Sequence, residues 1–314
     1  MRIGVIVDSM CDMPSDIYRR YGVTILPVTV RIGETRWPDY RDEAATLAFI
    51  DSDIAKRAAE AETIAFSVKE FHDLFLERLV IDYDYVFCLT LARTRSPTYD
   101  NAMQASFSIL NDYKAPRSAA GHATPFALRV IDTTNLFAAQ AILPLEALRL
   151  IAAGTSIPKI RTRLDYLAPM THGYMVPRDL YYIRARARAK GEKSVGLAAV
   201  MLGSALDIKP IIHCNRSETH PVGKAKGFEA AAQRMFAFAA GRVRAGLLTP
   251  DVSLSYGGAL DEMRALPGYS ELRKTCFERG VTLHESVMSL TGMVNAGKGA
   301  VVVGFAAEAH AFDA

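Results

Sequence analysis

Short apolar runs of strand length alternate with segments of helical periodicity along the chain, and that alternation confines it to a layered α/β architecture. Strands are predicted at 2–8, 23–31, 84–91 and 128–132, with helices near 15–21, 43–61, 69–80, 98–112 and 137–153. Such a series gives a mostly parallel sheet covered by helices on both faces, because strands buried on both sides read as continuous hydrophobic runs. A second series follows, with strands near 172–176, 208–214, 251–256, 281–288 and 300–305 and helices near 196–206, 225–246 and 258–279. The hairpin-like NRSETHP at 215–221 adds antiparallel pairing and hence a mixed second sheet. Between the two series, residues 155–171 read as one amphipathic helix closed by Pro169. The expectation is two α/β domains, 1–170 and 171–314, since 314 residues exceed what one core commonly serves.

Composition narrows the function classes. Half the residues are apolar and 23% are charged, as in a globular protein, and a net charge of +3 is too small to mark a nucleic-acid footprint. Cys11, Cys88, Cys214 and Cys276 form no metal-ligand spacing. The opening MRIGVIVDSM reads as a strand ended by an acid rather than a secretion signal, and no run approaches the ~18 to 20 apolar residues of a membrane span. A reduced, cytoplasmic protein without a metal or other cofactor is expected.

The stretch DYVFCLTLARTRSPTYDN at 84–101 carries the most chemical information, because a buried strand runs into a polar turn that opens a helix near Pro97. Ligands of open parallel sheets sit at such strand ends, where a helix start offers unpaired N–H groups. Ser96 and Thr98 are therefore candidate anion contacts, with Ser96 as a plain N-cap the competing reading. Asp8, Ser9 and Asp12 end the first strand and could serve a metal or acid–base chemistry, but a structural turn with Asp12 capping the next helix accounts for them better. GMVNAGK at 292–298 matches a phosphate-loop pattern in letters only: Gly299 stands where a hydroxyl belongs, and a strand follows instead of a helix. In YIRARARAK at 182–190, Arg184, Arg186 and Arg188 share one face of an extended segment, either as a dock for an acidic partner or anionic membrane surface or as a charged edge. His172, His213, His220 and His284 are scattered and suggest no hydrolytic triad.

Seven segments, in order, resemble the DegV family. Asp8, Ser9, Asp12 and Pro14 match its DSxxDxP strand end, and Tyr21, Gly22, Val23, Pro27, Val28 and Val30 match YGIxxxPLxV. Thr63, Ser67 and Phe71 match the TSQPS element in part, with Ile64, Ala65 and Phe66 replacing its centre. Ser96, Thr98, Tyr99 and Ala102 match SSGLSGTYQSA, from which Ala92, Arg93, Thr94 and Pro97 depart. Val130, Ile131 and Asp132 resemble VIDS; Gly203, Ser204, Ile208, Lys209 and Pro210 resemble GSLLNIKP; Val222, Gly223, Lys224 and Gly227 resemble VGKxRG.

The resemblance implies a non-catalytic protein that holds one long-chain fatty acid between its domains and presents the carboxylate to partner machinery, in some members a fatty acid kinase. Residue by residue it places the carboxylate at Thr63 and Ser96, with Asn295 standing where the family's C-terminal turn often has histidine. Asp8, Ser9, Thr98 and Lys298 are further candidates nearby. Asn can donate a hydrogen bond but carries no proton at neutral pH, which bears on acyl phosphorylation more than on lipid binding. The alternative is an enzyme acting on a small acidic or phosphorylated metabolite in the same cleft.

Overall fold

The computed structural model describes residues 1–52, 60–183 and 207–313; the expected helix at 196–206 and Arg184, Arg186 and Arg188 lie outside them. The first sheet is parallel and ordered β2 (Thr24–Leu26), β1 (Ile3–Asp8), β6 (Tyr85–Thr90), β7 (Ala127–Asp132). Val86, Phe87, Cys88 and Leu89 of β6 are all fully buried, the reason this strand reads as an unbroken apolar run. The second sheet has the order β10 (Glu218–Lys226), β9 (Ile208–Asn215), β8 (Thr171–Val176), β13 (Val301–Ala306), β11 (Asp251–Tyr256), β12 (Thr282–Val287). Only β11 and β12 run parallel there, so this sheet is mixed as expected. Arg216 and Ser217 join β9 to β10 with φ of 51° and 66°, the double left-handed pair that a two-residue hairpin demands.

A third, antiparallel sheet was not expected. β3 (Thr29–Ile32) pairs with β4 (Thr35–Pro38) on one side and β5 (Glu62–Ile64) on the other. The single strand predicted over 23–31 is therefore two strands in different sheets, broken around Pro27, which has no N–H to give a ladder. Of the helix predicted over 43–61, residues Glu43–Asp51 form one, capped by the Asp42 side chain on Ala45 N at 2.9 Å, and residues 53–59 lie outside the described ones. The 258–279 segment is likewise two helices, Leu260–Arg264 and Tyr269–Glu278, separated at Gly268 with φ 87°. Asp12 does not cap the helix Ser15–Tyr21, whose N-cap is Pro14, because its carboxylate is engaged elsewhere.

One helical segment joins the two large sheets. Phe137–Gln140 and Ile142–Ala152 follow β7; the second piece packs on Val5 and Val7 of β1, while Phe137 and Ala138 pack on Met288 and Val302 across the gap. Gly304 of β13 and Gly173 of β8 are register partners, and together they make room for this helix. A Cβ at Gly304 would lie 2.4 Å from Ala139 Cα, and one at Gly173 would lie 2.9 Å from Ala139 Cβ. Glycine in these strands thus marks a close backbone approach, not a turn.

Candidate functional site

Where the C-terminal end of β6 meets the small sheet and the second large sheet, a cleft of ≈ 320 Å³ opens, at the lower end of the range for small-molecule sites. Its walls are mostly apolar and include Met10, Val28, Leu91, Phe137, Met175 and Ile212. Its polar lining comes from four parts of the chain: Thr63 on β5, Arg95 and Ser96 on the loop after β6, Thr219 on β10, and Thr291 with Asn295 on the helix Leu290–Ala296.

Each polar group is held in place locally. Ser96 Oγ accepts from Thr98 N at 3.3 Å and lies 2.8 Å from Thr98 Oγ1, so it closes a hydroxyl turn at the start of the helix Thr98–Ser108 while also facing the cleft. Thr98 itself is fully buried behind that turn and does not line the cleft. Asn295 Nδ2 donates to Thr291 O at 2.7 Å, one turn back on the same helix. Thr63 Cα is in register with Val30, so its position is set by the β3–β5 ladder.

The helix carrying Thr291 and Asn295 is anchored by a buried charge cluster. Asp39 Oδ2 accepts from Thr291 N at 2.9 Å and Thr291 Oγ1 at 2.8 Å, while Asp39 Oδ1 accepts from Arg41 N at 3.1 Å. Arg41 adopts a left-handed backbone with φ 62° and directs Nη1 to Asp12 Oδ1 at 2.8 Å and Nη2 to Val287 O at 2.9 Å. Asp12 Oδ1 also accepts from Ser289 N at 2.9 Å, just ahead of the helix. Phe137 in the cleft wall is a second non-glycine residue in the left-handed region, with φ 54°.

The other expected site residues stand behind or away from the cleft. Asp8 is fully buried and accepts from Leu91 N at 2.6 Å, Gln140 Nε2 at 3.1 Å and Met10 N at 3.1 Å. Burial pushes its carboxyl up to about 6 against the pull of those donors, and it fixes Met10 and Leu91 rather than facing a ligand. Ser9 Oγ accepts from Val28 N at 3.1 Å and sits 3.4 Å from Thr291 Oγ1. Lys298 is on the surface with Nζ 3.0 Å from Asp51 Oδ1. Arg95, Thr219 and Thr291 were missed: Thr219 and Thr291 belong to segments that only the tertiary fold brings here, whereas Arg95 adjoins Ser96 and could have been found from that neighbour.

Among the described lining residues there is no histidine, cysteine or carboxylate. Nor do the described residues include three or more His, Cys, Asp or Glu side chains placed to hold a metal ion. The histidines are not scattered as expected. His172 Nδ1 lies 3.0 Å from His213 Nε2, His310 Nε2 lies 2.9 Å from the Tyr174 hydroxyl, and His220 meets His213 edge-on, all away from the cleft lining. Of the four singled out in the sequence, His284 stands apart, 2.8 Å from Asp251. Chemically the described lining offers neutral donors and one guanidinium among largely apolar walls, an arrangement suited to an amphiphile with a compact anionic head.

The profile of the family described as "Uncharacterised protein, DegV family" matches residues 2–308. A DegV domain-containing protein of Xanthomonas axonopodis pv. citri is 60% identical over 314 residues, covering all of both chains. Among solved structures, a DegV lipid binding protein from Thermotoga maritima superposes with a TM-score of 0.75 at 21% identity, covering 98% of each chain. A stearic acid-binding protein from Eubacterium ventriosum gives a TM-score of 0.75 at 21% identity, covering 96% of this chain and 97% of its own.

Proposed function

The chain belongs to the DegV family, and from that premise we propose that it binds one long-chain fatty acid in the cleft, with the carboxylate held by Thr63, Ser96 and Asn295. The observation that carries this reading is the meeting of Thr63, on the small sheet, and Ser96, on the loop after β6, on one cleft whose remaining walls are largely apolar. Two relatives of the same fold bear lipid-binding and stearic acid-binding descriptions, which supports the same ligand class here. The absence of a proton-transferring side chain from the described lining favours a carrier over an enzyme that turns over an acidic metabolite.

The acyl chain supplies most of the affinity. Burying roughly fifteen methylenes at about 0.8 kcal/mol each sets an upper bound near ~12 kcal/mol before the costs of association, whereas each neutral hydroxyl contact nets about 1 kcal/mol. In this reading residues 1–170 and 171–314 are the two domains flanking the cleft, and the protein works in the cytoplasm without a cofactor. It presents the lipid head group to partner machinery, such as a kinase-type protein or an anionic membrane surface, with Arg184, Arg186 and Arg188 as the dock. None of the described helices is long and apolar enough to cross a membrane.

Purification from a bacterial host followed by denaturing organic extraction and mass spectrometry tests the ligand class. About one acyl chain per protein is expected. Recovery of no acyl lipid, together with no uptake of added fatty acid, overturns the reading, and a polar metabolite in its place supports the enzyme.

A further inference from the structure

We propose that Arg95 is the residue that makes the cleft selective for an ionised carboxylate over neutral lipids of the same chain, an inference that rests on the fatty-acid reading above. The loop after β6 carries two arginines with opposite fates. Arg93 is exposed, with Nη2 2.9 Å from Asp100 Oδ1 and its guanidinium 5.0 Å from the Tyr99 ring centroid. Arg95 is half-buried and lines the cleft beside Ser96. Its guanidinium donates to the Thr219 hydroxyl on β10, so the side chain reaches from the first sheet's loop to the second sheet.

The backbone beneath it is fixed by two further crossings. Thr94 Oγ1 donates to Ser217 O at 3.4 Å, and Ser217 N donates to Thr134 O at 2.9 Å. With Arg95 N donating to Ala92 O at 2.9 Å, these bonds hold the loop that carries the half-buried Arg95 against the second sheet.

Of the described lining residues, Arg95 alone is charged. Thr63, Ser96, Thr219, Thr291 and Asn295 can hydrogen-bond an alcohol, an ester or an acid, so they discriminate weakly among lipid head groups. A guanidinium differs in kind. Its planar fork of five donors matches a carboxylate bidentately and serves several partners at once, so the contacts the side chain already makes and a bound anion are compatible. Against apolar walls the attraction is screened less than in water. The same field holds a bound carboxyl in its ionised form to lower pH.

Matched sixteen-carbon acid and alcohol, titrated by displacement of a fluorescent lipid from the full chain, test the assignment. Arg95→Met is expected to weaken the acid by about 10- to 100-fold while changing the alcohol by less than about threefold, and Arg95→Lys is expected to retain part of the preference. Arg93→Met, which removes the exposed guanidinium of the same loop outside the cleft lining, is expected to leave the acid preference in place. In the bound state, carboxyl-¹³C-labelled acid should titrate roughly 1 to 2 pH units higher in Arg95→Met than in the parent. An acid-to-alcohol ratio unchanged in Arg95→Met, or a full loss reproduced by Arg93→Met, overturns the proposal. Failure of the parent protein to take up either lipid removes the underlying site instead and is seen before any variant is made.

Discussion

Arg41 Nη1 lies 2.8 Å from Asp12 Oδ1 with both side chains almost wholly withdrawn from solvent, and the pair ties the loop after β1 to the segment that starts the helix Leu290–Ala296. A buried ion pair is weak evidence of net stabilisation, but removing one partner strands the other charge. Arg41→Met should cost about 3 to 5 kcal/mol, and the double substitution Arg41→Met with Asp12→Leu should cost less than Arg41→Met alone. Urea unfolding of the two variants checks the order. A double variant less stable than the single one would mean that the pair matters for its hydrogen bonds to Val287 and Ser289 and not for its charges.

Ser96→Ala and Thr63→Val remove hydroxyls facing the cleft but leave its apolar walls in place. Each should weaken fatty-acid binding by about 1 to 2 kcal/mol, and the doubly substituted protein should still retain lipid. Calorimetric titration, with thermal melts to verify folding, measures both. If the double variant binds like the parent, the head group sits elsewhere, with Asn295 the next candidate.

The stacked histidines make stability depend on acid. Burial, reinforced by His310 and His213, pushes His172 down to about 3, and burial with His220 and His310 pushes His213 down to about 4. Both lie below the unfolded value of 6.5, so below that pH the unfolded chain holds more protons. Their contribution is fully present above pH 6.5 and is lost as pH falls toward 4 and then 3. At most two extra protons are involved, so the slope rises to no more than about 2.7 kcal/mol per pH unit, near pH 5. Replacing His172 and His213 together by Gln should remove that slope in denaturation midpoints collected across the range. An unchanged slope would assign the acid lability to carboxylates.

What sequence disclosed and what it withheld divides along range in the chain. β6, β8, β9, β11 and β13 fall within a residue or two of their expected places because each is a strong apolar run with nearby turn residues. Arg216 and Ser217 took the hairpin despite lacking glycine, since the pairing of β9 with β10 dictates the turn. The small sheet escaped because Thr35–Pro38 and Glu62–Ile64 are short, polar edge segments with little periodicity. At the site, the loop holding Ser96 was legible from one local stretch. The Asp39–Thr291 and Arg95–Thr219 bonds, spanning 252 and 124 residues, have no local signature at all.

The facing glycines at 173 and 304 have a mechanical consequence. Because Ala139 rests directly on both strands, the two large sheets share a helix as a common wall instead of meeting across a flexible seam. Swinging them apart like the covers of a book would first have to pull that helix off the sheet. The bonds from Thr94 to Ser217 and from Arg95 to Thr219 are few and polar by comparison, so opening on that side of the cleft should cost less than parting the two sheets.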